Sequence, residues 1–163
     1  MQADWGLQDK KAVGEVLARV TDQYPHAYGG GSYDADALQY TEWVVEDAEG
    51  AAEMRAETKA AFEKVAGESN LTLQFASAPK PLTRGAEVQE QLLRAVRKDP
   101  RWPTNLALTG SWDFASGTYL IEAGDRHDDP DVVAYLTTTW DGLVIATATE
   151  PNQPQMINTG DGG

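Results

Sequence analysis

The chain contains no cysteine, which excludes disulfides, thiolate nucleophiles, cysteine-type zinc sites and iron–sulfur ligation together. It has two histidines, His26 and His127, too few for a histidine-rich metal centre. Basic residues are scarce as well: 13 Lys plus Arg stand against 26 Asp plus Glu, a net charge of −13. The excess is even along the chain, with 14 acids against 7 bases in residues 1–82 and 12 against 6 in residues 83–163. A field of that sign repels a phosphate backbone, which argues against nucleic acid as a partner. No apolar run approaches the roughly 20 residues that cross a bilayer. The opening Met1-Gln2-Ala3-Asp4-Trp5-Gly6 has neither the basic nor the apolar stretch of a signal sequence. The expectation is a soluble protein without membrane insertion, cytoplasmic or exported with its leader absent.

What is present is a globular pattern. The 163 residues are 41% hydrophobic and 24% charged, enough to build an independent core. Val13, Val16, Leu17, Val20 and Tyr24 recur at helical spacing and predict a helix over residues 10–23, closed by Pro25. A Gly29-Gly30-Gly31 loop follows, then strands around residues 32–34 and 38–46 that read as a hairpin. Met54, Thr58, Ala61, Phe62 and Val65 share one face of a helix over residues 51–66, with Gly67 placed to end it. Leu71, Leu73 and Phe75 alternate with polar or small residues as in a strand.

Val88, Leu92, Ala95 and Val96 mark a third helix over residues 86–98. A second hairpin joins a strand carrying Leu106, Leu108 and Trp112 to one over residues 118–123. Residues 131–140 are ambiguous. Val132, Tyr135, Leu136 and Trp140 fit a helix opened by Asp129 and Pro130, but the density of β-branched residues and the following Asp141-Gly142 favour a strand entering a tight hairpin.

Three patches recur in the same order. Glu15–Arg19 through Pro25 resembles Glu90–Arg94 through Pro100. Gly31-Ser32-Tyr33-Asp34 with Tyr40 resembles Gly110-Ser111-Trp112-Asp113 with Tyr119. Leu71-Thr72-Leu73 through Pro79 resembles Leu143-Val144-Ile145 through Pro151. The fold class is therefore α+β, with antiparallel sheet covered on one face by amphipathic helices and two related halves. The organisation expected is a flexible N-terminus at 1–9, halves at 10–82 and 83–151, and a disordered tail at 152–163.

Motifs with chemistry are few. Tyr28-Gly-Gly-Gly-Ser32 lacks the Gly-Lys-Ser/Thr and the helix of a phosphate loop. Asp125, Asp128, Asp129 and Asp131 beside His127 form a weak candidate cation loop, but Pro130 breaks EF-hand order, so a solvated turn and no metal is the expectation. No nucleophile is placed with a base and an orienting acid. Glu42, Glu46, Glu122 and Asp113 are the carboxylates available for hydrolytic chemistry, and they read as exposed strand residues. Arg94, Arg97, Lys98 and Arg101 beside Trp102 suit a helix C-terminus.

Among the aromatics, Trp43 and Trp102, with Tyr28 and Tyr33, are the candidate partner-binding residues, whereas Trp112 continues a core face. The function expected is a non-catalytic acidic protein-binding module of inhibitor, immunity or accessory type, with no cofactor and a basic protein as partner. A small carboxylate-using hydrolase and a self-assembling module are the alternatives.

Overall fold

A computed structural model of the chain describes residues 2–67 and 69–150, with side chains from residue 11 onward. The fold is α+β: among the described residues there are four α-helices and two three-stranded sheets. Contacts divide the chain into two compact units, residues 1–84 with 114–116 and residues 85–113 with 117–163. The tail expected at 152–163 lies outside the described residues.

The first unit runs α1 (Gln2–Thr21), β1 (Tyr28–Asp34), β2 (Gln39–Val44), α2 (Ala51–Ala66) and β3 (Thr72–Ser77). Its sheet order is β1-β2-β3, antiparallel between β1 and β2 and parallel between β2 and β3. The second unit runs α3 (Leu82–Lys98), β4 (Gly110–Asp113), β5 (Thr118–Glu122), a 3-10 turn (Gly124–Asp128), α4 (Pro130–Trp140) and β6 (Val144–Thr147). Here too the order is β4-β5-β6, with an antiparallel pair followed by a parallel one. Each unit thus has the sequence helix, hairpin, helix, strand. The sheets are mixed rather than antiparallel, because a strand returning after a covering helix arrives parallel to the one before it.

Register makes the correspondence residue-specific. Tyr40 lies opposite Tyr33 and Leu73, and Tyr119 lies opposite Trp112 and Val144. Leu73 therefore corresponds to Val144, so the pairing of Leu71-Thr72-Leu73 with Leu143-Val144-Ile145 read from the sequence is one residue out. Two residues on, Glu42 lies opposite Gly31 as Ile121 lies opposite Gly110.

Residues 131–140 are helical, a correction to the strand expected from Asp141-Gly142. Asp129 caps the helix, its Oδ1 accepting from the Asp131 N–H at 2.9 Å, and Pro130 occupies the first turn. Val132, Leu136 and Trp140, at i, i+4 and i+8, are all buried. Asp141 and Gly142 do adopt positive φ, at 52° and 88°, but they end a helix rather than turn a hairpin. Both uses need the same left-handed backbone, which is why the dipeptide misleads.

Two further corrections concern boundaries. Gly29–Gly31 belong to β1 rather than to a loop, and a Cβ on Gly29 would lie 2.5 Å from that of Ala78, so glycine lets the chains meet closely there. Leu106 and Leu108 precede β4 and belong to no strand; Leu106 is buried, and its carbonyl accepts from the Trp102 indole N–H at 2.8 Å. If α4 packs as described, Leu136→Ala lowers stability by about 2–5 kcal/mol. Val133→Ala, at a position 44% exposed, changes it by less than about 0.5 kcal/mol. Denaturant melts of the two variants check this, and equal losses would contradict the helical phase.

Candidate binding sites in the first unit

The alternation of β2 points Tyr40, Glu42 and Val44 toward the helices, and all three are buried. On α2 the facing residues are Met54, Thr58 and Phe62, again all buried. Glu42 is 3% exposed and Thr58 fully buried, and the Thr58 hydroxyl lies 2.9 and 3.1 Å from the two carboxyl oxygens of Glu42. The pair interrupts the core. Val20, Ala27, Val44, Ala51 and Met54 cluster on one side of it, while Val13, Tyr40, Phe62 and Ala66 cluster on the other. In the second unit Ile121 stands at the place of Glu42 by strand register, and it and the buried residues of α4, Val132, Leu136 and Trp140, belong to a single continuous apolar cluster.

Burial pushes the Glu42 carboxyl up to about 7, against opposing pulls from the Thr58 hydroxyl and the charge of Arg55. One neutral hydroxyl cannot replace the water that a carboxylate loses on burial.

Two cavities flank this row. One, of about 410 Å³, lies between α1 and the β1–β2 hairpin and is lined by Glu42, Tyr28, Tyr33 and Tyr40. The other, of about 900 Å³, is a groove between α2 and β3, floored by Phe62, Leu71, Leu73 and Phe75. Arg55 spans part of the groove, bonded to Glu46 at 2.6 Å and lying 4.7 Å from the centre of the Phe75 ring. β3 pairs with β2 along one edge; among the described residues its other edge meets no strand. Thr72 and Ala78 direct their N–H groups to Leu38 and Val44 on the β2 side, so by alternation Leu73, Phe75 and Ser77 direct theirs outward.

The residues picked out in the sequence distribute unevenly. Tyr28 and Tyr33 line the smaller cavity. Trp43, half-buried on the opposite sheet face, lies 5.9 Å from the ring of Phe114, a member of the same unit, and its indole N–H is buried without a partner. Trp102 is half-buried in the second unit against Tyr135, at 5.7 Å. Neither tryptophan is exposed. Glu46 is exposed, Glu122 and Asp113 are half-buried, and Glu42 departs from the exposed strand position expected of it.

Of the candidate cation loop, Asp129 is taken up by capping α4 and by Arg126 at 3.6 Å. No three acidic or histidine side chains among the described residues are grouped to hold a metal ion. In the basic group, Arg97 donates to the Leu93 carbonyl and Arg101 bonds Asp99 at 3.1 Å. Hydrogen bonds from the Arg101 side chain and backbone N–H, with that from the Tyr135 hydroxyl, draw the Asp99 carboxyl down to about 2. No described helix is long and apolar enough to cross a membrane. No protein-family model, curated protein or solved structure matches the chain.

The raised Glu42 carboxyl has a thermodynamic signature. Because the folded state holds this proton to higher pH than the unfolded chain, its stabilisation is complete below about 4.5 and is lost as pH rises through about 7. Glu42→Gln keeps the shape without the charge, so it gains about 2–3 kcal/mol over the parent at pH 8 and almost nothing at pH 4. Urea melts at the two pH values check this; equal differences at both would contradict a carboxyl titrating in the core.

Proposed function

We propose that this protein is a non-catalytic protein-binding module, and that an extended basic segment of its partner adds to the free edge of β3 and sends alternate side chains into the groove beside α2. The observation that carries the reading is the character of that edge. Strand edges are ordinarily blunted by charge, proline or bulges, whereas Thr72-Leu73-Gln74-Phe75-Ala76-Ser77 has no charged residue and no proline and runs in unbroken register with β2. Outward N–H groups supply affinity in such an arrangement, and pockets for alternate side chains supply selectivity. The net charge of −13 favours a basic partner and disfavours a second copy, which carries the same sign.

A second reading, a small carboxylate-using hydrolase, draws support from Glu42 alone, because a buried carboxyl near neutral pKa suits general acid–base chemistry. Such chemistry also needs a second group facing it. Asp22, exposed at the end of α1, is the other carboxylate lining that cavity.

Capture from a lysate of the source organism supplies the partner, and kinetics test the face. Ser77→Pro deletes an outward donor and leaves the β2 ladder intact. It should accelerate dissociation about tenfold or more, while association slows as ionic strength rises. An unchanged off-rate would place the interface elsewhere, and a discrete dimer of the protein abolished by Ser77→Pro would replace the reading with self-assembly.

A further inference from the structure

We propose that the cavity between α1 and the β1–β2 hairpin is a binding site for a small aliphatic ammonium ion, with the Glu42 carboxylate as its counter-ion and Tyr28, Tyr33 and Tyr40 as its walls. The site is separate from the β3 edge and would operate whatever occupies that edge.

The first ground is an internal control. The same architecture is completed in the second unit with Ile121 at the register position of Glu42 and with only apolar residues buried on the covering helix α4, so neither the helix–sheet packing nor the strand register requires a carboxyl on the strand or a hydroxyl on the helix. A buried carboxylate with one neutral donor is destabilising, and a polar group placed where the local pattern calls for an apolar one points to a site rather than to the scaffold. A cation seated beside Glu42 would supply the compensation that the protein withholds.

The second ground is the shape around the carboxyl. Gly31, opposite Glu42, has no side chain, and a Cβ there would come within 2.8 Å of the Tyr28 hydroxyl oxygen; glycine leaves room for the tyrosine to reach over the strand toward Glu42. Across the cavity, a Cβ on Gly14 of α1 would meet nothing within 4 Å, so the helix side is open. About 410 Å³ suits a small organic ligand, and aromatic walls attract a cation through the faces of their rings.

The charges around the site fit that ligand. Asp22 adds negative charge from α1. From α2, Arg55 acts on Glu42 with the opposite sign but is bonded to Glu46 in the other groove. On the hairpin, burial raises the Tyr28 hydroxyl, with Glu42 and Asp22 adding to it, and holds that of Tyr40 at about 12. Neither tyrosine loses its proton near neutrality. An anion would meet two carboxylates, and a neutral alcohol would leave Glu42 uncompensated.

The test is calorimetric titration of the full chain with n-butylammonium chloride, with n-butanol as the uncharged control. Binding at pH 8 is expected in the range of about 1–10 mM, as befits a probe of about five non-hydrogen atoms. An alkylammonium keeps its charge to about pH 10, so the fall in affinity from pH 8 to pH 6, about tenfold, reports protonation of Glu42 near 7. Glu42→Gln should weaken binding at least tenfold and remove the pH dependence. Gly14→Leu, which fills the cavity and improves helix propensity, should abolish binding while the thermal melt is kept. Ser77→Pro should leave it unchanged. Equal binding of n-butanol, undiminished binding by Glu42→Gln or Gly14→Leu, or no heat with the parent protein at pH 8 would each overturn the proposal.

Discussion

The packing of two helices on one face of a three-stranded sheet is the constraint on which the structure rests. A sheet with one apolar face must bury that face against another element, and the cover imposes a row of facing residues from strand and helix. In the second unit that row is apolar throughout, from Tyr119 and Ile121 on β5 to Val132, Leu136 and Trp140 on α4. In the first unit the same row holds Glu42 and Thr58 in its middle, and the core is split around them. One fold therefore carries two solutions to the same packing problem, and the difference between them is a buried acid.

Much of the fold was legible because the periodicities are strong. The burial of Val13, Met54, Phe62, Val88 and Leu92 follows from helical spacing, and both hairpins follow from strand alternation and the turns between them. Where the reading failed, one local signal had two physical meanings. Asp141-Gly142 supplies left-handed backbone for a helix end as readily as for a hairpin, and the β-branched residues of 131–140 fit a helix once Val132 and Leu136 are buried. The glycines at 29–31 suggested a loop, yet here they permit close strand packing. The parallel pairings of β3 and β6 depend on where the covering helix returns the chain, which no residue pattern in the strands announces.

The site was only partly legible. Tyr28 and Tyr33 stand out in the sequence as aromatics, and they line a cavity. Trp43 and Trp102 stand out for the same reason, but both are half-buried in their own units. Because carboxylates are rarely buried, composition alone predicts an exposed strand position for Glu42. Two signals pointed the other way: strict alternation places Glu42 on the face of Tyr40 and Val44, and Thr58 falls on the apolar face of its helix. The recurrence of Gly31 through Tyr40 as Gly110 through Tyr119 also aligns Glu42 with Ile121. Burial of an acid is a property of two elements at once, so it emerges only when both faces are combined.

The central claim is that the Glu42–Thr58 pair serves a site and not the fold. Giving the row the apolar character it has in the second unit, with Glu42→Ile after Ile121 and the near-isosteric Thr58→Val, tests it most directly. The double variant should fold, gain stability over the parent in urea at pH 8, and lose the dependence of stability on pH between 5 and 8. A double variant less stable than the parent at pH 8 would show that the polar pair holds the first unit together, and would contradict the account.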